Sequence, residues 1–154
     1  SLSRDYFIII SGVIFKRDIF SKFGMFNEIF NIIGDYDFIM KISKSCNAHA
    51  INSPMINSRI HKNNFSKLNS KMFYEEYKIW FEENYRNKKN QEFLKNINFF
   101  KDKLNYLEIS HLLLNSEKKY SLLKKISKHN IILEKVKFLI LFLVPKKFFK
   151  FLKK

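Results

Sequence analysis

The chain has 154 residues, 46% hydrophobic and 17% aromatic, which is enough apolar material for a buried core and excludes a wholly disordered polypeptide. A single cysteine, Cys46, excludes a disulfide framework and fits a reducing compartment, with the thiol buried as a small apolar group. The formal net charge is +15, with 8 basic and 5 acidic side chains in residues 1–66 and 21 and 9 in residues 67–154, a field suited to nucleic acid or an anionic membrane surface.

Residues 1–15 carry no basic n-region and no small-residue cleavage site, so no signal peptide is expected. The β-branched and aromatic run Phe7–Phe15, "FIIISGVIF", predicts a buried strand interrupted at Ser11-Gly12. Arg17–Phe23 suits a short helix that Gly24 terminates. Asp35 is placed to N-cap a helix from about Tyr36 to Ser45, with Phe38, Ile39 and Ile42 on one side and Asp37 facing Lys41 at i,i+4. Ala48–Ile60 predicts one or two short strands broken near Ser53-Pro54.

After Ser66 the pattern changes. Phe73, Tyr77, Trp80 and Phe81, then Phe93, Ile97 and Phe100, then Leu104 through Ile126, recur at helical spacing. Three to five amphipathic helices are expected from Leu68 to about Val144, their aromatic stripes turned to a core. The predicted order is strand, helix, helix, strand, then helices only. A lone strand leaves its backbone edges unpaired, so the first part reads as an α/β fragment, a piece of a larger sheet.

"DYD", Asp35-Tyr36-Asp37, has the D-x-D spacing that can present two carboxylates to a divalent cation. It equally reads as a helix start with acids near the positive end of the dipole. No further carboxylate lies close in sequence, and a helical Asp37 points away from Asp35.

The segments "SGVIFKRDIFSKFGMFNE" and "GDYDFIMKIS", taken together, resemble the C-terminal half of the catalytic domain of family 2 glycosyltransferases, the inverting GT-A type. Phe20, Gly24, Phe26 and Glu28 match the family's "F-x-x-x-G-x-F-x-E" segment. Asp35, Tyr36, Asp37, Phe38 and Lys41 match its acidic helix start, with Lys41 where the family usually has Arg and Gly34 where it usually has Glu. In "NSRIHKNNFSK", Arg59, His61, Asn64 and Ser66 match a "Y-R-x-H-x-x-N-x-S" tail. The resemblance covers residues 6–67. It implies a partial GT-A (Rossmann-like) sheet over residues 1–67; the helical spacing adds an extension over 68–132, and the lysine-rich end a basic amphipathic tail over 133–154.

By that resemblance Asp35 takes the place of the general base that deprotonates the acceptor hydroxyl. Asp37 and Arg59 are implied in donor or acceptor binding, with Arg59 on the donor phosphates. His61 is implied as a metal ligand near the diphosphate. The family's own D-x-D, and with it most of the ligands to Mg2+ or Mn2+, belongs to an earlier nucleotide-binding half that this chain has no room for. The resemblance thus implies a nucleotide-sugar donor, a glycan or lipid-linked acceptor in cell-surface polysaccharide or lipopolysaccharide synthesis, and little or no transfer by this chain alone.

From Lys135 onward there are seven lysines and no acidic residue. The apolar run Phe138–Val144 is too short for a bilayer, which needs about 20 residues. Lys135–Lys154 suits the headgroup region of an anionic membrane, which would make the protein cytoplasmic and peripheral on the inner face of the cell membrane. Two other readings compete: a basic nucleic-acid-binding protein, although no recognisable binding signature is present and no nucleic acid is expected, and a non-enzymatic helical membrane adaptor.

Overall fold

The structure is a computed structural model that describes residues 6, 8–57, 59, 61, 65, 69–87, 91–115, 119–128 and 132–143. The chain divides into two compact units, Ser1–Asn87 and Lys88–Lys154.

In the first unit a single 3-10 turn, Ile10–Gly12, is followed by helices α1 (Arg17–Phe23), α2 (Gly34–Ile42) and α3 (Ser70–Arg86). No strand forms among the described residues. This corrects the expectation of an α/β fragment with a partial Rossmann-like sheet. The physical reason lies in the backbone of residues 8–16. Gly12 N–H donates to Ile9 O at 2.8 Å and Val13 N–H to Ile10 O at 3.1 Å, so a local turn uses groups that a ladder would need. Val13 and Lys16 keep extended dihedrals without becoming a strand. Their β propensity is satisfied by burial instead: Ile8, Ile10 and Phe15 pack on α2. Residues 46–57 and 59 are likewise irregular rather than strand, and the remainder of Ala48–Ile60 lies outside the described residues. The Cδ1 of Ile56 comes close enough to Gly12 that an added Cβ would meet it at 3.2 Å.

Helix α1 ends as the sequence suggests. Gly24 has φ 78° and ψ −179°, and its N–H donates to Phe20 O at 2.9 Å, a conformation open to glycine and costly for other residues. The turn brings Phe20 and Phe26 onto Phe38 of α2. Phe20 stacks on Phe38 with ring centroids 5.6 Å apart, and Phe26 lies 4.5 Å from it. Phe15 meets the same ring edge-on at 5.6 Å. Phe38, Ile39 and Ile42 form the core of this cluster, with half-buried Cys46 at its border.

In the second unit α4 (Gln91–Lys95) leads into α5 (Ile97–Asn115), α6 (Lys119–Lys128) and α7 (Ile132–Leu143). Helices α5, α6 and α7 pack on one another around Ile109, Leu122, Ile126 and Phe138. Phe93 stacks on Phe100 at 4.9 Å, and Lys125 of α6 pairs with Glu108 of α5. The helical reading from Leu68 onward is thus realised as α3 through α7. The boundary between compact units falls after Asn87, because α3 is tied to α2 by the contacts described next.

Candidate functional site at the start of α2

Helix α2 begins one residue before Asp35. Its N-cap is Ile33, which has no side chain able to accept a hydrogen bond, and Asp35 stands in the first turn. Asp35 therefore does not hold the expected N-cap position, and the N–H groups leading into the helix are served from another element. Glu76 of α3, only 5% exposed, accepts three backbone N–H groups: Asn31 at 2.8 Å, Ile32 at 2.8 Å and Ile33 at 3.1 Å. An ionised carboxylate is the strongest acceptor available for such groups. Buried N–H groups without a partner would each cost about 1–3 kcal/mol. One side chain thus fixes the entry of the chain into α2 and binds α3 to it.

The Asp35 carboxylate is half-buried, and its Oδ1 accepts the first-turn N–H of Tyr36 at 2.7 Å. The Tyr6 phenol lies beside it. Burial, and then the Asp35 charge, push that phenol above its ordinary pKa, so Tyr6 is a neutral hydroxyl at physiological pH. Its oxygen is buried, and a hydrogen bond to the Asp35 carboxylate adds to the rise. The Tyr6 ring meets Tyr36 edge-on at 5.1 Å.

Asp37 faces another way. Its Oδ1 accepts the Trp80 Nε1–H of α3 at 3.0 Å. Burial raises its carboxyl pKa, the Trp80 hydrogen bond and the Lys41 charge oppose the rise, and the Glu83 charge adds to it. The expected Asp37–Lys41 partnership is therefore electrostatic, and the hydrogen bond goes to the indole. Tyr36, Tyr77 and Trp80 pack together between α2 and α3, with ring centroids 5.0 to 5.9 Å apart, and burial holds both tyrosines protonated.

At about 100° per residue, positions 35 and 37 of a helix point to different sides. Here one carboxylate meets Tyr6 and the other Trp80, so "DYD" does not present its two acids to one cation. Arg59 and His61 are exposed on the irregular segment after α2; Asn64 and Ser66 lie outside the described residues. Among the described residues no group of three His, Cys, Asp or Glu side chains comes together to hold a metal ion. The described residues do not by themselves make the divalent-metal site that the resemblance implies.

Sequence reasoning singled out Asp35 and Asp37 but missed Glu76, Trp80 and Tyr6 as their partners. A signal for Glu76 was present: it sits on the same helical stripe as Phe73, Tyr77 and Trp80, and an acid on an apolar stripe needs buried donors. Tyr6 gave no such signal, since its meeting with Asp35 depends on how the chain folds back before α1. Comparison with family models, with curated proteins and with solved structures returned no match to this chain.

Proposed function

We propose that this chain carries the acceptor side of an inverting glycosyl-transfer centre, with Asp35 as the base. The sequence resemblance to family 2 glycosyltransferases motivates the reading. The observation that supports it most is the Asp35 carboxylate itself: half-exposed, in the first turn of a helix whose entry is clamped by Glu76, beside a protonated phenol. A general base must be held still and must reach solvent-side substrate; the Glu76 clamp supports the first requirement and the part-exposure of Asp35 the second. The absence of a sheet among the described residues removes one support that the resemblance would have lent.

In this reading the acceptor hydroxyl gives its proton to Asp35 as its oxygen attacks the anomeric carbon of a nucleotide sugar. The new C–O bond forms as the bond to the diphosphate breaks, with inversion, and the diphosphate leaves with the electron pair. Arg59 offers a cation for the donor phosphates. Asp37, turned into the α2–α3 interface, acts on the position of Asp35 rather than on substrate. The donor-binding half and its divalent cation come from outside this chain.

The test is transfer of a radiolabelled sugar by a polypeptide in which this chain is joined to a donor-binding half. Asp35→Asn keeps the acceptor for Tyr36 N–H and removes the base, so the rate should fall on the order of 10²–10⁴ while Trp80 fluorescence stays unchanged. An Asp35→Asn protein as active as its parent sinks the proposal.

A further inference from the structure

Helix α7 has two apolar faces, and only one of them is used by the α5–α7 core. Phe138 is buried, 5.2 Å from the Tyr106 ring, and Phe142 packs on the same cluster. Turned the other way are Ile132, Val136, Leu139, Ile140 and Leu143, which are 41–77% exposed. At about 100° per residue these five fall within an arc of roughly 100° along the whole helix. Lys135 and Lys137 flank that arc on its two sides. Lys137 is exposed, and its ammonium lies 5.9 Å from the centre of the Tyr106 ring.

We propose that this outward face of α7 docks on an anionic lipid bilayer, with its aliphatic stripe in the headgroup boundary and its flanking lysines on lipid phosphates. Charge decides the occupant. Residues 88–154 hold 17 Lys and Arg against 5 Asp and Glu, and no acid follows Glu134. A second copy of the chain would bring two such surfaces together at like charge. Nucleic acid would supply the charge but would lay phosphates over Ile, Val and Leu, which have no ring for a base to stack on. An anionic bilayer satisfies both halves of the pattern: apolar depth for the stripe and negative charge at the level of the lysines. The 12 residues of α7 extend about 18 Å, short of the roughly 30 Å hydrocarbon core, so the helix lies in the plane of the interface. No helix among the described residues is long and apolar enough to cross a membrane.

The inference does not depend on the catalytic reading, and its test is separate. The full chain is floated with vesicles of phosphatidylcholine alone and of phosphatidylcholine with 30% phosphatidylglycerol. Binding is expected to the anionic vesicles and to weaken with salt. Val136→Glu with Ile140→Glu should reduce the partition coefficient at least about tenfold, and Lys137→Gln about fivefold. Both glutamates replace exposed side chains, so helical circular dichroism should be unchanged; Ile132→Ser is the milder second variant should the pair fail to fold. Equal binding of wild type and stripe variants, or equal binding to both vesicle types, overturns the proposal. So does a wild-type dimer that the stripe variants dissociate while neither form floats, or retention on RNA in preference to vesicles.

Discussion

Residues 1–87 and residues 88–154 are held by different means. In the first unit buried polar ties stand beside the aromatic packing between helices: Glu76 on three backbone N–H groups, and Asp37 on the Trp80 indole. Much of the chain around them is irregular, with α2 as the centre onto which loops fold. In the second unit three helices close on Ile109, Leu122, Ile126 and Phe138, and none of the charged side chains described there is fully buried. The contrast shows what each architecture can carry. A helix fixed by buried polar partners presents a carboxylate in a defined place. A bundle fixed by apolar packing leaves its surface free to be strongly basic, since exposed charges contribute little to stability.

The largest effect should come from the apolar side of the comparison. Phe138→Ala removes a ring that is 1% exposed, and such truncations cost about 3–5 kcal/mol. Urea denaturation followed by circular dichroism at the helical band measures it. The polar counterpart is Glu76→Ala, expected to cost about 3 kcal/mol through the N–H groups it leaves without their acceptor. Trp80, the one tryptophan, reports that loss by fluorescence, because it packs between α2 and α3. A Glu76→Ala protein as stable as wild type would mean that water satisfies those groups, and the polar half of the comparison would fail.

The same contrast explains how much could be read from sequence. Regular apolar spacing marked α3 through α7, since a helix buried on one face repeats its pattern locally. The α1 helix and its Gly24 stop were also visible, for both depend on neighbours in sequence. The run "FIIISGVIF" misled, because β propensity records a liking for half-buried pleated surface, and here Ile8, Ile10 and Phe15 find burial against α2 without a partner strand. Asp35 was legible as an acid at the start of α2, but not that the N–H groups just before that helix go to Glu76, some forty residues away. Such a long-range tie leaves no mark in a local pattern except the acid on an apolar stripe.

Two glycines sharpen the loop side of the comparison. Gly24→Ala forces a side chain into φ 78°, ψ −179°, at a cost of about 1–3 kcal/mol, and should loosen the Phe20–Phe26–Phe38 cluster. Gly34 stands in the first turn of α2, where an added Cβ would find Asn27 O and Phe30 Cβ at an ordinary 3.8 Å. Gly34→Ala is therefore expected to stabilise by about 0.4–1 kcal/mol through the unfolded chain. Thermal melts of the pair should shift in opposite directions; a shared direction would mean that the turn after α1 does not set the aromatic cluster.

The smallest effect concerns the charge that the α2–α3 interface tolerates. Asp37 has a carboxyl pKa raised by burial, so the folded state holds its proton at pH values where the unfolded chain has released it. Stability from this group is then full below the ordinary carboxylate value of about 4. It is lost as pH rises from there through the folded-state value, because the native state binds the more protons over that window. Asp37→Asn keeps an oxygen for the Trp80 N–H and has no proton to lose. The difference between the two proteins in urea midpoint, read by Trp80 fluorescence, should grow in favour of Asn as pH rises above about 4 and then level off. A difference that moves the other way would mean that Lys41 and the indole together more than offset the burial of the charge, and that Asp37 strengthens the interface as an anion.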